Sequence, residues 1–110
     1  MYTILDAFKA MLLTVDPAAT HYFGRGTGST YTVWTEYELD GLHGGNEYAE
    51  YTWRILVERF TTVQDDTIVR AIMAKLEAAD NVTYQYSLRR NVDQELIYHA
   101  WDCEVTVGTV

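Results

Sequence analysis

Four side chains in the sequence are natural candidates for metal binding or nucleophilic chemistry. They are the three histidines His21, His43 and His99 and the only cysteine, Cys103. None of them belongs to a Cys-x-x-Cys or His-x-x-x-His arrangement, the spacings that place two ligands on one metal ion. His99 and Cys103 are four residues apart, which means about 13 Å along a strand. The sequence therefore favours a packed cysteine and a partly exposed histidine over a metal site, and it predicts no cofactor.

Hydroxyl and carboxylate residues give no stronger signal for catalysis. The two serines, Ser29 and Ser87, lie in no nucleophile-elbow motif. The carboxylates are densest at Asp65-Asp66 and in the group Glu36, Glu38 and Asp40. The first turn of a helix and a solvated strand edge explain these groups more simply than a general acid and base pair does. We therefore expect no enzyme, and a triad that assembles only in space stays open as an alternative.

The glycine-rich stretch from Gly24 to Ser29 raises the question of phosphate binding. Its three glycines alternate with Arg25, Thr27 and Ser29. A phosphate-binding loop delivers the anion to the N-terminus of a helix. Here a β-branched and aromatic run follows, which is typical of a strand, and no Gly-Lys-Ser/Thr triplet closes the loop. The stretch is therefore interpreted as a connector.

Size and charge limit the class of protein. With 110 residues the chain has room for one domain, which we expect to span residues 1–110. Eight basic against sixteen acidic residues give a net charge of -8, which argues against binding nucleic acid through its phosphates. The same charge suits a surface that nucleic acid passes without sticking. A lone cysteine favours a reducing compartment, and neither a secretion signal nor a membrane span is expected.

Apolar spacing predicts two helices and four strands. Steps of three and four residues predict one helix from near Thr3 to Asp16-Pro17 and a second over residues 65–79. Alternation predicts strands over residues 31–38, 48–60, 82–88 and 95–107. The Asp-Gly and Gly-Gly pairs in residues 39–47 indicate a hairpin with a long tip. Which face of the first strand is buried stays open, because both faces carry aromatic and polar residues.

The order helix, two strands, helix, two strands predicts an α+β fold. We expect a mainly antiparallel four-stranded sheet with both helices packed on one face. The strands are rich in Tyr and Trp and poor in Lys and Arg, so cross-strand packing and a protein interface are favoured over base stacking. Exposed aromatic patches on the second face of the sheet would mark such an interface.

Taken together, these segments resemble a known family, the tail completion (tail terminator, or head-tail joining) proteins of long-tailed bacteriophages. Nearly the whole chain takes part. The resemblance is carried by the opening helix up to Leu13, the strand at residues 31–36, the Asp40-Gly41 loop, residues 48–57, the helix at 65–79 and the closing run at 96–105.

The resemblance implies a structural virion protein of the tail neck that is assembled in the host cytoplasm. Such a protein forms a ring, usually a hexamer, on the head-proximal end of the tail tube and joins it to the head connector or stopper protein. Viral DNA would pass through the ring without sequence-specific binding. The interface candidates are Trp34, Trp53 and Arg54 in the strands and Leu39, Asp40, Leu42, His43, Asn46 and Glu47 in the predicted tip.

Three alternatives remain from the sequence. The family shares its fold with other neck and connector proteins, so the position in the neck is open. A small dimeric α+β binding module would also carry aromatic sheet faces. A small enzyme with a site in a sheet cleft would need a pocket that joins His21 or His99 to carboxylates.

Overall fold

A computed structural model describes residues 3–22, 30–43, 49–93 and 95–107, and these residues form an α+β fold. The elements are α1 (Thr3–Val15), β1 (Thr20–His21), β2 (Tyr31–His43), β3 (Ala49–Thr61), α2 (Thr67–Ala78), β4 (Val82–Asn91) and β5 (Leu96–Val107). The prediction of an α+β fold with two helices is confirmed, and the predicted order of elements agrees only roughly, because the short strand β1 lies between α1 and β2.

Local sequence features set the end of α1 and the start of α2. The stripe of α1 buries Leu5, Phe8 and Leu12, and the helix stops before Pro17, whose ring disfavours a helical residue in front of it. Helix α2 begins after Asp66, whose carboxylate accepts a 2.9 Å hydrogen bond from the amide of Ile68. This N-cap satisfies a backbone donor that the first turn leaves without a helical partner. Helix α2 is therefore shorter than predicted, because Asp65 and Asp66 precede it.

The sheet has five strands in the order β1-β2-β3-β5-β4 and is mixed. The four long strands pair with one another in antiparallel fashion. Strand β1 runs parallel to β2, with Thr20 beside Val33 and His21 beside Trp34. The prediction of a four-stranded sheet is therefore wrong by one short strand. Two residues are too few to show an alternating pattern, so β1 fell within the predicted connector.

The β2–β3 hairpin is longer than the sequence predicted. Pairing continues from Leu39 opposite Trp53 to His43 opposite Ala49, so residues 39–43 belong to a strand and not to a loop. The Asp40-Gly41 pair therefore makes no turn, because it lies inside the ladder. A bulge between Glu36 and Glu38 shifts the register by one residue. The predicted tip residues Asn46 and Glu47 lie outside the described residues, as does the Gly24–Ser29 connector.

One hydrophobic core lies between the helices and one face of the sheet. It joins both helices to β2, β3 and β5, and its largest fully buried side chains are Trp34 and Trp101. The rings of Phe8 in α1 and Trp34 in β2 are 5.9 Å apart. This resolves the face of β2 that the sequence left open, because Thr32 and Trp34 point to the helices. The opposite side of the sheet, called the open face below, is covered by neither helix.

Candidate functional site on the open face of the sheet

Three aromatic rings form a row across the strands on the open face. Strand register places Tyr31, Phe60 and Tyr98 side by side on β2, β3 and β5. Their centroids are 4.7 Å apart between Tyr31 and Phe60 and 4.9 Å apart between Phe60 and Tyr98. The Tyr98 hydroxyl donates a 2.6 Å hydrogen bond to Glu58, and burial together with this carboxylate raises the pKa of Tyr98. The row packs across the strands, as the aromatic composition predicted.

Three carboxylates surround Arg54 at the centre of the open face. Its Nη1 donates to Glu104 at 2.7 Å, and its Nε donates to Asp40 at 3.0 Å and lies 3.3 Å from Glu38. These partners come from β2 and β5, the two strands beside β3. The hydrogen bond to Asp40 and the charge of Glu104 raise the pKa of Arg54. The cluster is half exposed, so its charges are accessible from solvent.

Tyr37 extends this cluster from the bulge in β2. Its hydroxyl donates a 2.6 Å hydrogen bond to Asp102 of β5, and the ring is 49% exposed. The bond to Asp102 raises the pKa of Tyr37. Because the extra residue of a bulge leaves the regular alternation, the sequence pattern gave no indication of this contact. A shallow groove of about 270 Å³ lies beside the cluster, lined by Arg54, Asp102, Glu104 and residues 83–85 of β4.

A second polar group lies where β1 meets β2. The Nε2 of His21 is 2.5 Å from Glu36, and the Tyr22 hydroxyl also donates to Glu36. The His21 ring is stacked between Tyr22 and Trp34, with centroids 3.9 Å from each. Burial alone would raise the pKa of Glu36, but the bonds from Tyr22 and His21 hold it below its ordinary value. Tyr22 adopts a φ of 72°, an uncommon left-handed conformation for a residue with a side chain.

A third polar group is buried under the helices and ties them to the sheet. The Nε of Arg59 donates to Asp66 at 3.0 Å, and its Nη1 contacts Thr32 at 3.1 Å and Asp16 at 3.4 Å. Asp16 follows the last residue of α1 and Asp66 caps α2, so one guanidinium fixes the ends of two helices. All four side chains are at most 8% exposed. This network is structural, because a guanidinium supplies donors only and solvent scarcely reaches it.

The histidine and cysteine of β5 face the core. Cys103 is fully buried, as predicted, and burial raises the pKa of its thiol to about 12. The predicted partial exposure of His99 is wrong, since the residue is only 6% exposed. Its Nδ1 lies 2.7 Å from the Tyr86 hydroxyl, and burial lowers its pKa. The ring of Trp101 lies between these two positions along the strand, so they form no pair.

Two of the nine predicted interface residues are in the core. Trp34 is 2% and Trp53 is 7% exposed, so the expectation that these rings lie on a free surface is wrong. Their alternation was correct, but the helices cover the face they share. The structure brings Arg54 and Asp40 together on the open face and leaves Leu39 37% exposed. Leu42 and His43 lie in the backbone ladder of β2. Asn46 and Glu47 fall outside the described residues.

In the part of the chain that the structure describes, no group of three His, Cys, Asp or Glu side chains is placed to hold a metal ion. The groove beside Arg54 is lined by one cation, two carboxylates and the neutral polar side chains of residues 83–85.

Comparison of the chain with protein-family models and with curated proteins found no match. No helix of the described residues is long and apolar enough to span a membrane.

Proposed function

We propose that this protein is a structural component of a bacteriophage tail neck that forms a ring at the head-proximal end of the tail tube. The ring, with six copies expected, ends the tube and joins it to the head connector or stopper protein while viral DNA passes through it. The proposal starts from the resemblance of the sequence segments to tail completion proteins. One structural observation supports it most directly, the acidic open face of the sheet.

The charge of the open face follows from the strand register. Carboxylates outnumber cations on it by five to two among the described side chains, a net charge of -3: Glu38, Asp40, Glu58, Asp102 and Glu104 against Arg54 and Arg89. The helices leave this face uncovered, so it is free to line a passage. A wall of carboxylates repels the phosphates of DNA and disfavours tight binding. DNA would therefore slide past such a wall.

A different neck or connector protein of the same fold is the second candidate. It would use the same acidic face but would bind the portal side and not the tube. A small dimeric binding module is the third, and it requires a two-fold contact in which each copy presents the same surface. The three candidates differ in stoichiometry and in the partner that is bound.

The deciding experiment is to mix the purified protein with tail tubes whose upper ends are unfinished and to image the product by electron microscopy. We expect a ring at one end of each tube, and class averages give its symmetry. Tubes that already carry a finished end are the matched control and should gain nothing. Absence of a ring on unfinished tubes would overturn the completion role, and binding to isolated portal complexes would then favour the connector.

A charge variant separates the passage of DNA from the formation of the ring. Asp102→Lys with Glu104→Lys changes the net charge of the open face from -3 to +1 and alters no residue on the helix side of the sheet. We expect this variant to cap tubes as the wild type does but to retain duplex DNA in a low-salt filter-binding assay. Equal, weak retention of DNA by both proteins would contradict the role given to the acidic face.

A further inference from the structure

The two lateral edges of the sheet carry opposite charge. Strand β4 is the edge on one side, and it contains Arg89 and Arg90 and no carboxylate. On the other side, β1 covers only Val33 and Trp34, so in the described chain residues 35–43 of β2 have no strand beyond them. That segment contains three carboxylates, Glu36 among them, and no Lys or Arg. One sheet therefore ends in a basic strand and an acidic strand.

Both edges also expose large apolar side chains. Leu88 of β4 is 51% exposed, although it lies on the helix face of its strand. Leu39 of β2 is 37% exposed and lies on the same face, opposite Trp53. Residues 87–90 are all exposed, so this part of β4 has little cover on either face. Long edges with exposed apolar residues are surfaces to which another strand can be added.

The charges favour pairing of unlike edges. Two β4 edges would bring arginines together, and two β2 edges would bring carboxylates together, which is unfavourable for directly opposed residues. Pairing β4 of one copy with β2 of the next removes both repulsions. Since β2, β3, β5 and β4 alternate in direction, a second copy in the same orientation presents β2 antiparallel to β4. The contact continues the antiparallel order of the sheet.

One register of pairing between β4 of one copy and β2 of the next places complementary side chains opposite each other on both faces of the sheet. It places Arg89 opposite Glu38 on the open face and Leu88 opposite Leu39 on the helix face. The following pair on the open face is Ser87 with Asp40. The Glu38 and Asp40 carboxylates already share Arg54 in the free chain, together with Glu104. One guanidinium among three carboxylates leaves an excess of negative charge for a neighbouring Arg89 to offset, and Arg89 forms no salt bridge within the described residues.

We propose that copies of this protein join head to tail by antiparallel pairing of β4 with residues 35–43 of β2 in the next copy, in the register that opposes Arg89 to Glu38 and Leu88 to Leu39. Because this contact joins two different edges, a row of copies has a free β4 edge at one end and a free β2 edge at the other. Successive copies therefore close into a ring when the rotation between them permits. This contact names the surfaces through which the proposed ring assembles. The pairing of the edges does not depend on the proposed function, and only the closure of the ring rests on it.

Charge reversal tests the pairing of the edges. Sedimentation velocity of the wild type at low salt, from micromolar to millimolar concentration, should show association that weakens as salt is added. Arg89→Glu alone and Glu38→Lys alone should each weaken it at least tenfold. An equimolar mixture of the two variants should recover association, because each then offers an edge that complements the other. Circular dichroism checks that both variants fold.

Cysteine cross-linking tests the register. Chains carrying Leu39→Cys mixed with chains carrying Leu88→Cys should form a disulfide-linked heterodimer under mild oxidation, and native Cys103 is too buried to compete. The control mixes Leu39→Cys with Thr62→Cys, since Thr62 is exposed but lies on neither edge. Absence of the heterodimer, or association of Arg89→Glu at wild-type strength, would overturn the proposed contact.

The two proposals fail separately. If Arg89→Glu caps tail tubes as well as the wild type does, the edge contact is wrong and the neck function stands. If the cross-linked heterodimer forms but no protein binds unfinished tubes or portal complexes, the contact stands and the neck function is wrong. A homodimer linked through Leu88→Cys alone would point to a two-fold module and would contradict both.

Discussion

Replacing Arg59 by methionine is expected to cost a large part of the stability of the protein. Met keeps most of the volume of the side chain and removes only the guanidinium. Asp16 and Asp66 then remain buried beside the core, at 6% and 8% exposure, without the cation that faces them. Removal of one partner of a buried ion pair typically costs about 3–5 kcal/mol, because the other charge is left uncompensated.

The size of the effect translates into a temperature shift. A chain of 110 residues unfolds with an entropy of about 0.23 kcal/mol per kelvin near its midpoint. A loss of about 3 kcal/mol therefore lowers Tm by about 13 °C. Tryptophan fluorescence reports the transition, since Trp34 and Trp101 are both buried in the core. The matched control is Arg70→Met, whose guanidinium is 65% exposed and lies 3.6 Å from Asp65, and its Tm should change little.

The penalty should also depend on pH with a definite sign. Burial alone would raise the pKa of Asp66, but hydrogen bonds from Thr61, the Ile68 amide and Arg59 hold it below its ordinary value. A carboxylate whose pKa is lower in the folded state stabilises the protein above its unfolded pKa of about 3.9, and this contribution is lost as the pH falls through the folded pKa. The wild type and Arg59→Met should therefore differ most near neutral pH and converge in acid. A loss below about 1 kcal/mol at pH 7, or a gap that stays constant down to pH 3, would refute the reasoning.

Three further outcomes are expected. The thiol of Cys103 should react with a disulfide reagent only after denaturant is added, because burial raises its pKa to about 12, and rapid reaction of the native protein would contradict its position in the core. Tyr98→Phe should cost about 1 kcal/mol in urea unfolding, because Glu58 loses a hydrogen bond that it can partly replace with water; a change of several kcal/mol would mean that the aromatic row does more than pack. Deletion of residues 42–45 should leave the fold intact but impair joining, and phages that still produced infectious particles of normal tail length would exclude a role for the tip in assembly.

The sequence predicted the elements whose pattern repeats over many residues. Helix α1 and strand β5 are examples, because each places an apolar side chain on one face at every turn or every second residue. The face of β2 was not predictable, since Thr32, Trp34 and Glu36 are no more apolar as a set than Tyr31, Val33 and Thr35. Only the position of the helices decides between them. Strand β1 and the bulge at Tyr37 are too short to leave a periodic signal.

The polar contacts were less predictable because their partners are far apart along the chain. Arg54 was singled out as one of few cations among the strands, and it lies on the open face. Its partner Glu104 is 50 residues away, so only the strand order brings the two together. The Arg59 network was missed for the same reason, since Asp16 is 43 residues from Arg59. An arginine amid apolar strand residues is the one local signal that would have indicated it.

The order of the strands has a consequence for folding of the protein during its synthesis on the ribosome. Strand β5 is the last of the described elements to be made, yet it lies inside the sheet between β3 and β4. Until residues 96–107 leave the exit tunnel, β4 has no strand to pair with and the core lacks Trp101 and Val105. Pairing of β4 must therefore follow synthesis of β5, and a nascent chain halted before Trp101 is expected to be sensitive to protease.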